Sequence, residues 1–230
     1  FFSPIGGLAT YLRRLIGHRL ILKKDQINQK TATLKKAFSS HLDKLTSMTR
    51  SHKHWIQDSI LNPYICEAHN TPRLCTEILD DEYEIYSSVP KLGTDWRWYK
   101  SLYGNQRKFN ESFLAEYDKI SHGMIDYRMN SIKRSEEKNK VLEKLCFDFA
   151  EITKNNENLG HDAYMENVEP LLSKIINNVE FDLPQATQKA IHEVNTLLKQ
   201  KEVEIDDVVK MSGFSGFFGR EQCYLSFTRE

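Results

Sequence analysis

The chain has 230 residues, 40% of them hydrophobic and 28% charged, a balance that argues against intrinsic disorder and for a soluble protein that buries a core. Its 32 basic and 32 acidic residues cancel, so the chain lacks a strong overall charge that would draw it to one kind of partner. Four widely spaced cysteines argue against a disulfide framework and favour a reducing, cytoplasmic environment.

The charge distribution is uneven although the net charge is zero. Residues 1–50 hold ten Lys and Arg residues against two acids, so they carry +8 and the remaining residues carry −8. One interpretation is a basic arm lying on an acidic body. The other is a partner that is anionic, such as a membrane surface. The acidic surface is predicted at Asp80, Asp81, Glu82 and Glu84.

The N-terminal segment, residues 1–24, is predicted to be a basic amphipathic helix. Leucine and isoleucine recur at helical spacing after Pro4, and arginines occupy much of the rest of each turn. Such a helix either lies in a membrane interface or packs its leucine stripe onto the body and leaves its arginines in solvent. The basic residues nominated for binding are Arg13, Arg14, Arg19, Lys23 and Lys24.

Two long helices are predicted to form an antiparallel scaffold. The first covers about residues 24–61, where apolar and aromatic residues repeat every seven positions. The second follows Gly104 and continues to about Lys133, with aromatic residues three and four positions apart. Between them, Thr71 and Pro72 predict the start of a shorter helix that continues through Tyr83 and Tyr86.

The C-terminal half predicts further helices at about 135–154, 162–179 and 182–198, with a short one before Met211. The sequence therefore predicts an all-α, irregular bundle of two long antiparallel helices and about four or five shorter ones. We divide it into the N-terminal helix 1–24, a bundle domain 25–211 and a Gly/Phe-rich segment 212–230. In that segment, Phe214, Phe217 and Phe218 either cap the core or bind a partner.

The pair His161-Asp162 resembles the central motif of the metal-dependent HD-type phosphohydrolases, which are all-helical. The resemblance implies that His122 upstream, and Asp182 or Asp206 downstream, would complete a divalent-metal set. Here the pair follows a polar turn, whereas in that family it ends an apolar helix. Asp162 acting as a helix N-cap is the simpler interpretation.

A second group of metal-ligand residues is Cys66, His69 and Cys75. Their spacing lacks the paired short Cys-x2-Cys units that characterise structural zinc sites, so buried thiols and ordinary surface histidines are the favoured explanation. A single Cys66–Cys75 disulfide is an alternative. The sequence has no phosphate-binding glycine loop, zinc-protease motif or nucleophile elbow. We therefore expect no cofactor.

The function that these observations favour is a non-enzymatic helical adaptor or scaffold subunit that binds other protein subunits, at a membrane surface in one variant of the hypothesis. The alternatives are an HD-type phosphohydrolase and a peripheral membrane protein that uses the basic N-terminal helix. Nucleic acid is not an expected partner, because no compact patch of aromatic and basic residues stands out.

Overall fold

A computed structural model describes residues 1–24, 26–63, 70–79, 82–89, 91, 109–130, 132–155 and 160–229. The fold is mostly helical, as the sequence predicts, and it adds one two-stranded antiparallel sheet. The α-helices are α1 (Pro4–Ile21), α2 (Ile27–Ala37), α3 (Ser39–Leu42), α4 (His52–Ile56), α5 (Pro72–Leu79), α6 (Phe109–Ile120), α7 (Glu136–Asn155), α8 (His161–Ala163), α9 (Glu169–Val179), α10 (Gln185–Leu198) and α11 (Ile205–Lys210). The strands are β1 (Tyr83–Val89) and β2 (Tyr224–Arg229).

Helix α1 is the centre of the fold. Ser3 caps it by accepting a hydrogen bond from the Gly6 backbone at 3.2 Å, and Pro4 occupies the first turn, where its missing N–H costs nothing. The helix is buried on every side along most of its length, because it contacts α2, α7 and the turns at Gln57–Leu61 and Ser121–Ile125. A helix that is surrounded in this way has no free apolar stripe for a membrane.

Helix α7 is the second central element and packs against α1, α6 and α9. Its predicted range, 135–154, is confirmed almost to the residue. Helices also occur where α10 and α11 were predicted, although α10 begins three residues after the predicted start at 182, and α11 covers only the middle of the predicted 202–211. The helix predicted at 162–179 exists in two parts, α8 and α9, joined by a π-helical turn at Tyr164–Val168. These segments carry clear 3.6-residue periodicity and turn residues at their ends, which are local signals.

The prediction of two long antiparallel helices is wrong. The first candidate is broken at Phe38, where the backbone leaves the helical region, and again by turns between α3 and α4. The described part of the second candidate is α6, which ends at Ile120 in a 3-10 turn. The longest helices are instead α1 and α7, and they pack on each other.

The helix predicted to continue from Pro72 through Tyr86 ends at Leu79. Its start is confirmed, because the Thr71 hydroxyl accepts a hydrogen bond from the Leu74 backbone at 3.3 Å. Tyr83 and Tyr86 lie on β1 instead, which pairs with β2 at the far end of the sequence. Extended structure replaces the helix here because the partner strand supplies the backbone hydrogen bonds.

The Gly/Phe-rich segment crosses the start of α1. The backbones of Gly6 and Gly219 approach so closely that a Cβ atom on either residue would collide with main-chain atoms of the other segment. Residues from α1, from the helices between, and from this segment belong to one hydrophobic core. Both ends of the sequence therefore complete the interior.

Candidate functional site: the small sheet and its polar support

The two strands form a sheet with a buried inner face and an exposed outer face. Burial alternates along β2, as expected when one face packs against helices and the other meets solvent, whereas on β1 the register irregularity leaves Tyr86 and Ser87 exposed in succession. Ile85 and Ser88 are buried on the inner face, next to the half-buried Leu225 and Phe227. The outer face consists of the half-buried Glu84 and of Tyr86, Ser87, Val89, Tyr224, Ser226 and Thr228.

Three large side chains dominate the outer face. Tyr86 is 70% exposed, Val89 64% and Tyr224 63%. Val89 and Tyr224 are direct cross-strand partners, so their side chains are neighbours, and Tyr86 lies at an irregularity in the strand register between Ile85 and Ser87. Aromatic residues that stand in solvent beside an exposed valine form a contact surface without any rearrangement of the fold.

Strand β1 is fixed by the first turn of α6. The Asn110 carboxamide accepts a hydrogen bond from the Ile85 backbone at 2.8 Å and donates one to the Tyr83 carbonyl at 2.9 Å. Asn110 is itself buried, so these bonds are shielded from water. The Glu84 carboxylate accepts a further bond from the Phe109 backbone at 3.0 Å, at the start of α6. The outer face is therefore held on a rigid support.

A polar network joins α5, α6 and α7 behind this support. Arg73 donates to both carboxylate oxygens of the largely buried Asp118, at 2.6 and 2.7 Å. The Tyr117 hydroxyl donates to Glu143 at 2.6 Å. Partial burial opposes ionisation of Arg73, but the pairing with Asp118 outweighs it and raises the pKa of Arg73. Burial also raises the pKa of Glu143, although the Tyr117 hydrogen bond opposes this.

No catalytic role follows from this network, because each of its polar groups is already used to connect helices. Burial raises the pKa of the Cys146 thiol and raises that of Cys223 to about 11, so both remain protonated thiols near neutral pH. Cys75 is also a free thiol, with a pKa raised by partial burial. The network chiefly fixes the position of α6, and through α6 it fixes the sheet.

Comparisons with known proteins add no relative. No family model, no curated protein and no solved structure matches this chain.

The arginines that we nominated on the N-terminal helix for binding are mostly inside the protein. Arg13 is 2% exposed and Arg14 is 3% exposed. The Arg14 guanidinium donates to the Asn62 carbonyl at 2.7 Å, and Arg19 donates to the Leu198 carbonyl at 2.6 Å. Burial of Arg13 and Arg14 contradicts both the membrane-facing and the solvated interpretation of these two residues. Lys23 is exposed and Lys24 is half-buried beyond the helix end.

Arg13 occupies a buried position between α1, α3 and the Gly/Phe-rich segment. Its guanidinium donates to the Phe217 carbonyl and, at 3.2 Å, to His41 Nδ1, and it lies 4.2 Å from the Phe218 ring centroid. Burial lowers the pKa of Arg13 to about 9, although Glu221 and Asp126 act in the opposite direction. Burial and the adjacent Arg13 lower the pKa of His41 well below its usual value.

Two of the three phenylalanines nominated in the Gly/Phe-rich segment belong to the core. Phe214 and Phe217 are fully buried, and Phe214 packs edge-on against His41 with ring centroids 4.9 Å apart. Only Phe218 is half-buried, and its ring covers Arg13. The binding role predicted for Phe214 and Phe217 is therefore contradicted by their position. The alternative, that the segment folds back to cap the core, agrees with the structure.

Only two of the four nominated acidic residues, Glu82 and Glu84, lie in the part of the chain that the structure describes. Asp80 and Asp81 lie outside the described residues. The Glu84 carboxylate is engaged with the start of α6, and Glu82 faces Arg229 across the sheet at 3.5 Å. Within the described part of β1, each acidic side chain thus has a local partner.

The HD-type metal candidates do not assemble. Within the described ranges, no three His, Cys, Asp or Glu side chains lie close enough to hold a metal ion. His161 instead contacts its neighbour Asp162 at 2.9 Å and the Lys199 carbonyl at 3.1 Å, while Asp182 pairs with Arg134 at 2.8 Å. Gly160, not Asp162, occupies the N-cap of this helix. Cys66 and His69 lie outside the described residues, and His122 and Asp206 join no such group.

The sequence reasoning missed the outer face of the sheet. The segment 83–89 is rich in aromatic and β-branched residues, which is typical of a strand. The segment 224–229 alternates polar residues with the apolar Leu225 and Phe227. A strand pattern is therefore present in both segments. The pairing of the two strands could not be predicted, because they are far apart in sequence.

No helix in the described ranges is long and apolar enough to cross a bilayer.

Proposed function

We propose that this protein is a non-enzymatic helical adaptor or scaffold subunit, and that it binds a partner protein through the outer face of its sheet. The observation that carries the proposal is the exposure of Tyr86, Val89 and Tyr224 on one rigidly supported surface. Tyrosine is enriched at protein interfaces because one side chain combines a large apolar ring with a hydroxyl that hydrogen-bonds at the rim.

The chemistry of the outer face favours a protein partner over an anionic one. Its side chains are uncharged except for Glu84, whose carboxylate is engaged with the start of α6. A membrane surface or a nucleic acid is recognised mainly through lysine and arginine, and the arginines Arg13 and Arg14 that would supply this charge are buried. An uncharged surface with two tyrosines and a valine instead suits a partner that offers an apolar pocket with polar groups at its rim.

The support behind the sheet also favours binding. Asn110 holds β1 through two hydrogen bonds, so the strand does not need to be ordered when a partner arrives. Association then loses less conformational entropy, which improves affinity for a given contact area. The helices contribute to function by presenting this face, which is the role of a scaffold.

Helix α5 extends the same region. It contacts β1 and exposes Ile78 and Leu74, which are 71% and 39% accessible. We assign these two residues to the border of the binding region because α5 precedes β1 directly in the chain.

The direct test is site-specific photo-cross-linking in the cells that make the protein. A benzoylphenylalanine placed at Tyr86 should give one discrete adduct with a second protein, identified by mass spectrometry. The matched control places the same group at Phe181, which is 94% exposed but lies in a turn outside the sheet. Absence of an adduct at Tyr86 above the level at Phe181 would overturn the proposal.

The second step measures affinity with the identified protein in purified form. Replacement of Tyr86 and Tyr224 by alanine should weaken binding by at least about tenfold, the usual effect of removing aromatic hot-spot residues. Both side chains are exposed, so circular dichroism and thermal melting should match the unmodified protein. Phe181→Ala should leave affinity unchanged. Equal affinity of all three proteins would remove the outer face from the interface.

A further inference from the structure

The strand register fixes the distance between the two tyrosines of the outer face. Tyr224 is paired with Val89, and Tyr86 is the extra residue at the irregularity between Ile85 and Ser87. Counting residues along either strand and adding the spacing between strands puts the two tyrosine Cα atoms about 8–11 Å apart. Tyr86 is 70% exposed and Tyr224 is 63% exposed, so both rings are accessible from the same side of the sheet.

The strip between the two rings carries hydroxyl groups. Ser87 and Ser226 are direct cross-strand partners there, and both are exposed. The Tyr224 hydroxyl accepts a hydrogen bond from the Gln222 side chain at 3.3 Å, and this bond does not use the hydroxyl hydrogen. A ligand that lies across the strip has to offer acceptors to these hydroxyls, because a polar group left unpaired at a contact costs binding energy.

We propose that the outer face binds a proline-rich segment of the partner protein in the polyproline II conformation, an inference that rests on the proposed adaptor function. This conformation has three residues per turn and rises about 3.1 Å per residue, so prolines three positions apart lie about 9.3 Å apart on one side. That spacing falls within the separation of Tyr86 and Tyr224. Each tyrosine ring contacts one of the two prolines, and Val89, directly opposite Tyr224, completes the second contact.

The backbone of such a segment matches the hydroxyls of the strip. A polyproline II helix makes no internal hydrogen bonds, so its carbonyl groups point outward and accept hydrogen bonds from Ser87, Ser226 and the tyrosine hydroxyls. Proline carries no charge, in agreement with an outer face on which the Glu84 carboxylate is already engaged with the start of α6. Rings and hydroxyls therefore contact the two exposed parts of one ligand, the proline rings and the carbonyls.

A helix or a strand of the partner fits this face less well. An amphipathic helix uses its carbonyls internally and offers an apolar stripe, which would leave Ser87 and Ser226 without acceptors between the two tyrosines. A strand is recognised mainly by backbone hydrogen bonds at a sheet edge, whereas the tyrosines stand on a face. A proline-rich segment is also ordered before it binds, so association with the rigidly supported sheet loses little conformational entropy.

The first experiment titrates a fluorescein-labelled decaproline peptide with the purified full chain and follows fluorescence anisotropy. Decaproline should bind saturably, whereas a Gly-Ser peptide of the same length and label should not. Tyr86→Ala and Tyr224→Ala should each weaken decaproline binding at least about tenfold, as expected for an aromatic anchor. Tyr86→Phe, which retains the ring, should lose less than Tyr86→Ala does, and Phe181→Ala, at an exposed residue outside the sheet, should bind like the unmodified protein.

A second measurement uses the unmodified chain, so it does not depend on how any variant folds. Once cross-linking at Tyr86 has identified the partner protein, an excess of decaproline should displace that partner from the unmodified chain, and the Gly-Ser peptide should not. Mass spectrometry of the adduct should also place the cross-link within a proline-rich segment of the partner.

The ligand assignment and the adaptor function can fail separately. Absence of decaproline binding, or binding that either alanine variant retains in full, would overturn the assignment to a proline-rich segment. A cross-linked partner segment without proline, or a partner that decaproline does not displace, would also overturn it and would leave the adaptor function standing. Absence of an adduct at Tyr86 above the level at Phe181 is a different result, because it removes the adaptor function itself.

Discussion

Acid should destabilise this protein through His122, which is 1% exposed in the turn after α6. Burial, together with the nearby Arg134, lowers its pKa to about 4 from the ordinary 6.5, although Asp182 acts in the opposite direction. In the unfolded chain the His122 imidazole takes up a proton as the pH falls below its ordinary pKa of 6.5. In the folded chain it does so only when the pH approaches the lowered pKa of about 4. The unfolded state therefore binds more protons within this window, and stability falls as the pH drops through it.

The expected size follows from the linkage relation. One pH unit within this window costs about 1.4 kcal/mol for one group, so lowering the pH from about 7 to about 5 removes about 2 kcal/mol through His122. His18, whose pKa is lowered to about 4 by burial, and His41 add losses of the same sign. The contribution of His122 is therefore measured by comparing the loss of unfolding free energy in the unmodified protein with the loss in a variant that lacks His122.

The measurement is urea unfolding, followed by circular dichroism, of the unmodified protein and of His122→Gln at several pH values in this range. The variant should lose about 2 kcal/mol less of its unfolding free energy than the unmodified protein does. His54→Gln, at an exposed histidine, should follow the unmodified protein. If the losses of unfolding free energy of His122→Gln and of the unmodified protein differ by less than about 0.5 kcal/mol, the reasoning is refuted, because the acid effect then comes from other groups.

Three further substitutions test the interior. Phe214→Ala should lower the unfolding free energy by about 3–5 kcal/mol, because the Phe214 ring is fully buried. The control Phe181→Ala should change it by less than about 0.5 kcal/mol. Similar values for the two variants in urea unfolding would contradict the assignment of the C-terminal segment to the core. Gly6→Ala should cost about 1–3 kcal/mol through collision with the crossing backbone, although alanine is the better helix former; a higher melting temperature would disprove the close crossing. Tyr117→Phe should cost about 1–2 kcal/mol by leaving Glu143 without its hydrogen bond, and an unchanged melting temperature would count against that bond.

The parts of the fold that could be predicted are those encoded over one or two helical turns. The range of α7 follows from apolar residues at 3.6-residue spacing, and α5 begins at Pro72 because Thr71 is a capping residue. The prediction of one long helix at 24–61 was wrong because the heptad pattern continues without a change of spacing past Phe38, where the helix is broken. Phe38 and Leu34 are both buried, but the chain turns after Phe38, so the same residues reach the core from separate short helices.

The candidate site could not be predicted, because it depends on contacts between distant segments. Whether Tyr86 stands in solvent depends on the pairing of β1 with β2, and no local pattern specifies that partner. The prediction that Arg13 is accessible at the surface was wrong for a related reason. A leucine stripe beside arginines is typical of a surface helix, but here the Phe217 carbonyl and His41, from two other segments, accept hydrogen bonds from the guanidinium.

The crossing of the C-terminal segment over α1 has a consequence for biosynthesis. Arg13 and Phe217 are separated by 204 positions, so the hydrogen bond between them forms only after nearly the whole sequence has been translated. A nascent chain on the ribosome would thus carry α1, which is buried along most of its length in the folded protein, without the segment that covers it. Contacts between such distant positions slow folding, and we expect the emerging chain to depend on chaperones until the Gly/Phe-rich segment has left the ribosome.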